Sequence, residues 1–203
     1  EFFDLPVGKL LDKSYASERA QRIDPNHAAA YPPGLEPFSA DTQCFCAVDR
    51  QGNAVSFINS LFEGFGCGLV GGNTGILLQN RGKLFALDPS HPNCVAPHKR
   101  SRHTIMPAMV FQNGKPRLVF GVTGGHMQPQ GQVQVLANII DFGMTIQEAL
   151  EAPRINHLEE LKVAIEAGIG EEVRAALSGK GHELANQANF GGGQGIFIHP
   201  EYG

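Results

Sequence analysis

Charge is sparse in this sequence and gives no basic stripe: 18% of the 203 residues are charged, and the formal net charge is −4. No segment interleaves Lys or Arg with exposed aromatics, so nucleic-acid binding has no footing. Long apolar runs are also absent, and none reaches the length of a bilayer-spanning helix. Cysteine is scarce. The four that occur, Cys44, Cys46, Cys67 and Cys94, show neither the density of a disulfide scaffold nor the paired C-x-x-C units of a zinc site. Reduced thiols are the expected state, with a cytoplasmic setting the expectation that goes with them, and no metal or cofactor is implied.

What is present suits a folded domain. A hydrophobic share of 42% over this length supports a real core. The chain starts at Glu1 without Met and stops at Tyr202-Gly203 just after an apolar run, so it is expected to be a piece of a longer protein.

Leu10, Leu11, Tyr15 and Ile23 predict a helix from Pro6 to Ile23. Residues 24–40 carry Pro25, Pro32, Pro33 and Pro37 and read as an extended linker. Phe45 to Val48 and Ala54 to Ile58, joined through Asp49-Arg50-Gln51-Gly52-Asn53, form an expected hairpin. A glycine-rich stretch, Gly64 to Gly75, leads to an expected strand at Ile76 to Leu78. A second hairpin pairs Met109 to Phe111 with Arg117 to Val122 through Asn113-Gly114 and runs into Thr123-Gly124-Gly125. Helices are expected at Gln132 to Phe142, at a short segment capped by Thr145 with Glu148, and at Glu171 to Leu177. A last strand spans Gly195 to His199. Hairpins followed by helices argue for an α+β fold with mainly antiparallel sheet.

Linker, threonine, strand is the order an N-terminal nucleophile requires. If the chain is cut between Asp41 and Thr42, one residue supplies a hydroxyl and a free α-amine, and the amine is the general base. An α-amino group titrates at about 7.7–8.0, whereas the nitrogen of an intact peptide bond is not basic. Cleavage would therefore switch the residue on. The residues alone carry this weakly, because Asp-Thr is an ordinary dipeptide and most such threonines merely begin a strand.

The wider pattern of motifs strengthens the nucleophile reading. "DRQGNAVSF", "FGCGLV" followed by "TGILLQN", "PHKRSRHTIMPAMV", "GVTGGHMQPQ" and "EALEAPR" occur in this order, and from about Phe2 to Phe197 the sequence resembles the γ-glutamyltranspeptidase family of N-terminal-nucleophile hydrolases. That resemblance implies a four-layer αββα sandwich. Residues 1–41 would end the large subunit and residues 42–203 would form the small, catalytic one, truncated at its C-terminus. The missing large-subunit portion is then a partner, and a homodimer of heterodimers is a possible assembly.

Carried over by position, Thr42 would be the nucleophile for self-cleavage and turnover, Ser60 would orient it, and Gly124 and Gly125 would form the oxyanion hole. The substrate pocket departs from the family. Where γ-glutamyl enzymes hold the glutamyl α-carboxylate and α-amine with an Asn, a Gln–Asp pair and two serines, this sequence has Phe62, Arg81 with Leu84, and His103 with Thr104. The acidic anchor for the amine is missing unless Glu63 or a large-subunit residue replaces it. Arg81 offers a planar fork for a carboxylate, a surface arginine being the alternative. "QNRG", "LDPSHPN" and "MQPQG" look like the divergent branch that includes oxamate amidohydrolase. His103 and His126 are expected to be structural rather than catalytic, since the mechanism already has its base.

These observations predict an autoprocessing hydrolase or acyltransferase acting on a small-molecule amide. The leading substrate is a γ-glutamyl compound such as glutathione, followed by an oxamate-like acid amide. A silent, uncut relative serving as a binding module is the reading from another class.

Overall fold

The computed structural model describes residues 7–29, 41–187 and 190–199. Most of the expected linker, including Pro32, Pro33 and Pro37, lies outside the described residues. The first helical segment is broken in two, α1 (Val7–Leu10) and α2 (Lys13–Ala20), because the Asp12 carboxylate accepts the Ser14 N–H at 2.8 Å and caps a new start.

The first hairpin, β1 (Asp41–Val48) and β2 (Ala54–Phe62), is antiparallel. Its turn closes on the Asp49 carboxylate, which accepts the N–H groups of Gln51 and Asn53 at 2.9 and 2.8 Å, while Gly52 takes the positive φ of 83°. β3 (Ala108–Gln112) and β4 (Lys115–Val122) form the second hairpin, and β8 (Gly193–Phe197) pairs with the other edge of β4. The expected strand at Ile76 to Leu78 is not one: it makes a single bridge, Val70 with Leu77, inside the glycine-rich loop.

Five successive residues of β4, Leu118 to Val122, are buried, so both of its faces are covered. On one side Leu118, Phe120 and Val122 pack on Val135 of α3 (Gln128–Ile140) and Ala149 of α4 (Ile146–Glu151). On the other side Gly121 lies under Cys44 and Ile58, close enough that a Cβ there would stand 2.5 Å from the Cys44 sulfur. The Ser56 hydroxyl crosses the same gap to the Phe120 carbonyl at 2.8 Å. Helices, the β3-β4-β8 sheet and the β1-β2 sheet are thus three stacked layers. The far face of β1-β2 exposes Phe45, Val55 and Phe57, the two phenyl rings stacked at 4.8 Å.

A third sheet goes beyond the strands that the sequence predicts. β5 (Ile155–Glu159) and β6 (Lys162–Ile165) are antiparallel, and α5 (Glu171–Gly179) returns the chain to β7 (Glu183–Asn186), parallel to β6. The sheet is therefore antiparallel except at this one crossover among the described residues. The mixed architecture is α+β, as the sequence predicts.

Candidate active site

Thr42 sits second in β1, and the burial alternation of that strand turns it inward with Cys44. The ladder is irregular there: Asp41 pairs with Phe62 and Gln43 with Asn59, so Thr42 faces two residues, Ser60 and Leu61. A bulge of this kind re-aims side chains. The Thr42 hydroxyl is buried and makes no hydrogen bond among the described residues. The Ser60 hydroxyl accepts the Phe62 N–H at 2.9 Å, which helps hold Phe62 at a φ of 81° although it is fully buried. A buried aromatic in the left-handed region is strained, and such strain gathers at functional sites.

The stacked sheets lay the first hairpin over β4, which itself runs into a glycine turn. Cys46 pairs with Ser56, which bonds Phe120, and Cys44 pairs with Ile58 above Gly121. Each step back along β1 therefore moves forward along β4, toward Thr123-Gly124-Gly125. Gly124 and Gly125 have φ of 113° and 61° and open the 3₁₀ turn Gly125–Met127 that continues into α3. The N–H groups at such a helix start have no intrahelical acceptor and carry the positive end of the helix dipole. A Cβ on Gly124 would lie 2.1 Å from the Phe190 carbonyl oxygen, so no side chain fits. The neighbouring loop is tied to the turn by Thr123, whose N–H donates to the Gly192 carbonyl at 2.8 Å and whose hydroxyl accepts the Gly192 N–H at 2.8 Å. Arg154, buried and paired with Glu166 at 3.2 Å, donates to the Gly191 carbonyl at 2.5 Å and secures that loop from behind.

Arg81 is the deepest charged group. It opens a 3₁₀ turn, Arg81–Leu84, its side chain is 1% exposed, and its guanidinium lies 5.3 Å over the Phe62 ring. Nη1 donates to the buried Thr104 hydroxyl at 2.8 Å, while Nη2 is buried without a partner among the described residues. The surface-arginine alternative is thereby ruled out. Phe62, Arg81 and Thr104 come together; Leu84 is half-buried in the same turn, and His103 is exposed yet within the field of Arg81. Glu63 is engaged elsewhere, accepting from the Lys83 ammonium and from Asn80 Nδ2. His126 meets the edge of the Phe62 ring at 6.1 Å, and its Nδ1 lies 3.2 Å from Nη2 of Arg102. Burial, then Arg102 and Arg81, hold the His126 pKa below its ordinary value, and burial and Arg81 do the same to His103. Arg102 and Arg154 lie within the quoted motifs, but the sequence gives neither a role, because their partners His126, Glu166 and Gly191 are met only in the fold.

Among the described residues no cluster of three His, Cys, Asp or Glu is arranged to hold a metal, and no helix is long and apolar enough to cross a membrane. The cysteines are free, and Cys44 and Cys46 share the inward face as small packing residues.

The family model described as gamma-glutamyltranspeptidase matches residues 1–202. The chain is similar to the glutathione hydrolase-like YwrD proenzyme of Bacillus subtilis, 46% identical over 153 residues covering 75% of this chain and 29% of that protein. It is also similar to the oxamate amidohydrolase proenzyme of Klebsiella pneumoniae, 39% identical over 74% of this chain and 28% of that protein. Among solved structures, cephalosporin acylase from Bacillus halodurans superposes with a TM-score of 0.89 at 40% identity, over 100% of this chain and 37% of that one. Gamma-glutamyltranspeptidase from Pseudomonas nitroreducens gives 0.71 at 30% identity, over 77% of this chain and 89% of that one. The chain thus spans under a third of the length of these two curated relatives. With the family model covering nearly all of it and the fold matching throughout, the chain belongs to the gamma-glutamyltranspeptidase family.

Proposed function

We propose that the protein is an autoprocessing amide hydrolase and acyltransferase whose nucleophile is Thr42. The observation that carries this is the buried Thr42 hydroxyl, without a hydrogen bond among the described residues, at a bulged strand start; the packing of Cys44 over Gly121 supports a Thr42 that faces the Gly124-Gly125 turn. Both relatives named above are described as proenzymes, which supports a processing step. The Pseudomonas match supports its place: it covers nearly all of one separate chain with a share of this one close to residues 42–203.

In processing, Thr42 Oγ1 attacks the Asp41 carbonyl carbon, the peptide C–N bond breaks, and the proton goes to the nitrogen that becomes the α-amine. Water then hydrolyses the Asp41 ester. In turnover the amine takes the hydroxyl proton as Oγ1 attacks the substrate amide. The oxygen that gains negative charge is met by the Gly124 and Gly125 N–H groups, which need no reorganisation to receive it. The leaving amine departs with the proton held by the Thr42 ammonium, and water or an acceptor amine releases the acyl group.

Arg81 defines the donor. Its unspent Nη2 supports binding of a carboxylate on the acyl group. γ-Glutamyl compounds and oxamate-like acid amides both present one, and the large-subunit portion completes the pocket around it.

Intact mass and N-terminal sequencing of the full-length precursor test the reading. A small chain beginning Thr42-Gln43-Cys44 is expected in the wild type and none in Thr42→Ala. A single uncut chain in both leaves the Thr42 nitrogen an amide and favours the binding-module reading instead.

A further inference from the structure

Around the Phe62 ring the described side chains gather positive charge, and the partner of Phe62 across the strand ladder is Asp41, which the proposed cut severs from Thr42. Arg81 covers the face and His126 the edge, and Arg102 leans on His126. Neither arginine is ion-paired with a carboxylate among the described residues, whose salt bridges all lie elsewhere. Glu63 is the next residue after Phe62 in sequence, yet it is spent on Lys83 and Asn80. The histidines do not add to the charge, because burial and the arginines hold both below their ordinary pKa. Burial also acts on Arg81 and Arg102 themselves, which lose solvent without gaining a counter-charge.

A guanidinium desolvated without a carboxylate is costly, and a ligand carboxylate relieves that cost. The same field acts in the opposite sense on a ligand ammonium, which would meet like charge from guanidiniums that are themselves partly desolvated. Discrimination of this kind comes from a repulsive element and not merely from a missing attractive one.

We infer that Arg102, braced against His126, acts with Arg81 as one doubly cationic acyl subsite, which takes amides whose acyl group carries a carboxylate and no ammonium. The subsite rests on the reading of Thr42 and Arg81 given above and narrows its substrate class: acid amides without an α-amino group are the donors, and γ-glutamyl groups are turned away. Arg102 is a specificity residue, and His126 sets its position.

Glutaryl-p-nitroanilide and γ-L-glutamyl-p-nitroanilide differ only in the α-ammonium and give the direct comparison on the processed full-length enzyme. The ratio of their kcat/KM values favours the glutaryl compound by about tenfold or more, the scale of one poorly screened charge contact. Arg102→Gln lowers that ratio several-fold, and Arg102→Lys, which keeps the charge, preserves most of it. A ratio does not depend on how much of a variant folds. Equal or better use of the γ-glutamyl compound overturns the inference, as a large-subunit carboxylate seated against the amine would produce. So does an Arg102→Gln enzyme that loses turnover with its ratio unchanged. Thermal shift with glutarate and L-glutamate repeats the comparison without catalysis. Stabilisation by glutarate alone upholds the subsite even in an uncut protein, and stabilisation by both or neither overturns it; failure of Thr42 is thereby separated from failure of the subsite.

Discussion

Single residues here are governed by what burial does to their charge. Cys44 faces the interior next to Cys46, and desolvation first, then its neighbour, pushes its thiol up to about 11. The thiolate is the reactive form, so Cys44 is inert at neutral pH. Brief alkylation of the native protein with iodoacetamide at pH 8, with peptide mapping afterwards, is expected to label exposed Cys67 and leave Cys44 unlabelled until denaturation. His126 supplies a pH dependence. Its folded pKa is depressed below 6.5, so the unfolded state binds more protons once the pH falls below that value. The stability that goes with a neutral His126 is full above pH 6.5 and is lost as the pH drops through the lowered folded value. Thermal melts between pH 7.5 and 5 are expected to show Tm falling with acid, and His126→Gln to flatten the slope, with His103 leaving a remainder. At this scale the sequence was legible in kind and illegible in depth. Arg81 could be singled out by position, but its burial depends on Phe62 and Thr104 lying around it. The left-handed backbone of Phe62 left no trace at all, since phenylalanine is not a residue that announces a positive φ.

Elements were readable where local chemistry dictates them. The Asp49 to Asn53 and Asn113-Gly114 turns fixed two hairpins, and the capping box is present, with Thr145 Oγ1 accepting the Glu148 N–H and Glu148 returning the bond to the Thr145 N–H. Thr145→Ala is expected to cost about 1 kcal/mol, visible as a lower urea midpoint with unchanged slope. The strands of the third sheet were missed because they are four or five residues long and their pairing is settled by α5 bringing β7 alongside β6. Helix α3 begins four residues earlier than its apolar pattern, because Pro129 suits a first turn and the glycine turn feeds straight into it. That turn is the element on which the proposed activity depends most. Gly124→Ala would drive a methyl into the Phe190 carbonyl and force a conformation that alanine avoids. Loss of one oxyanion donor costs roughly 100-fold in kcat or more, so if Gly124 has the proposed oxyanion role, amide turnover by Gly124→Ala is expected to fall at least that far with KM less affected.

At the scale of the whole molecule the described residues stack a helical layer on the β3-β4-β8 and β1-β2 sheets, with the β5-β6-β7 sheet beside them, and show three of the four layers that family membership implies. The order of layers was not legible from hairpin and helix signals, since both faces of β4 had to be seen covered before β4 could be placed in the middle. The open side carries Phe45, Val55 and Phe57, each about half exposed. Residues 42–203 expressed alone are therefore expected to bind a hydrophobic dye and self-associate, and the full-length processed protein to do neither; dye fluorescence and light scattering check this.

The bulge opposite Thr42 governs how the protein would respond to a cut at that place. Beyond it the ladder from Gln43 to Val48 is regular and continues without reference to Asp41. Scission at residue 42 would free a chain end while six successive rungs still clamp the strand behind it. The new terminus would then be held almost as still as the peptide it replaced, so that the protein could lose a covalent bond at its centre and keep its shape.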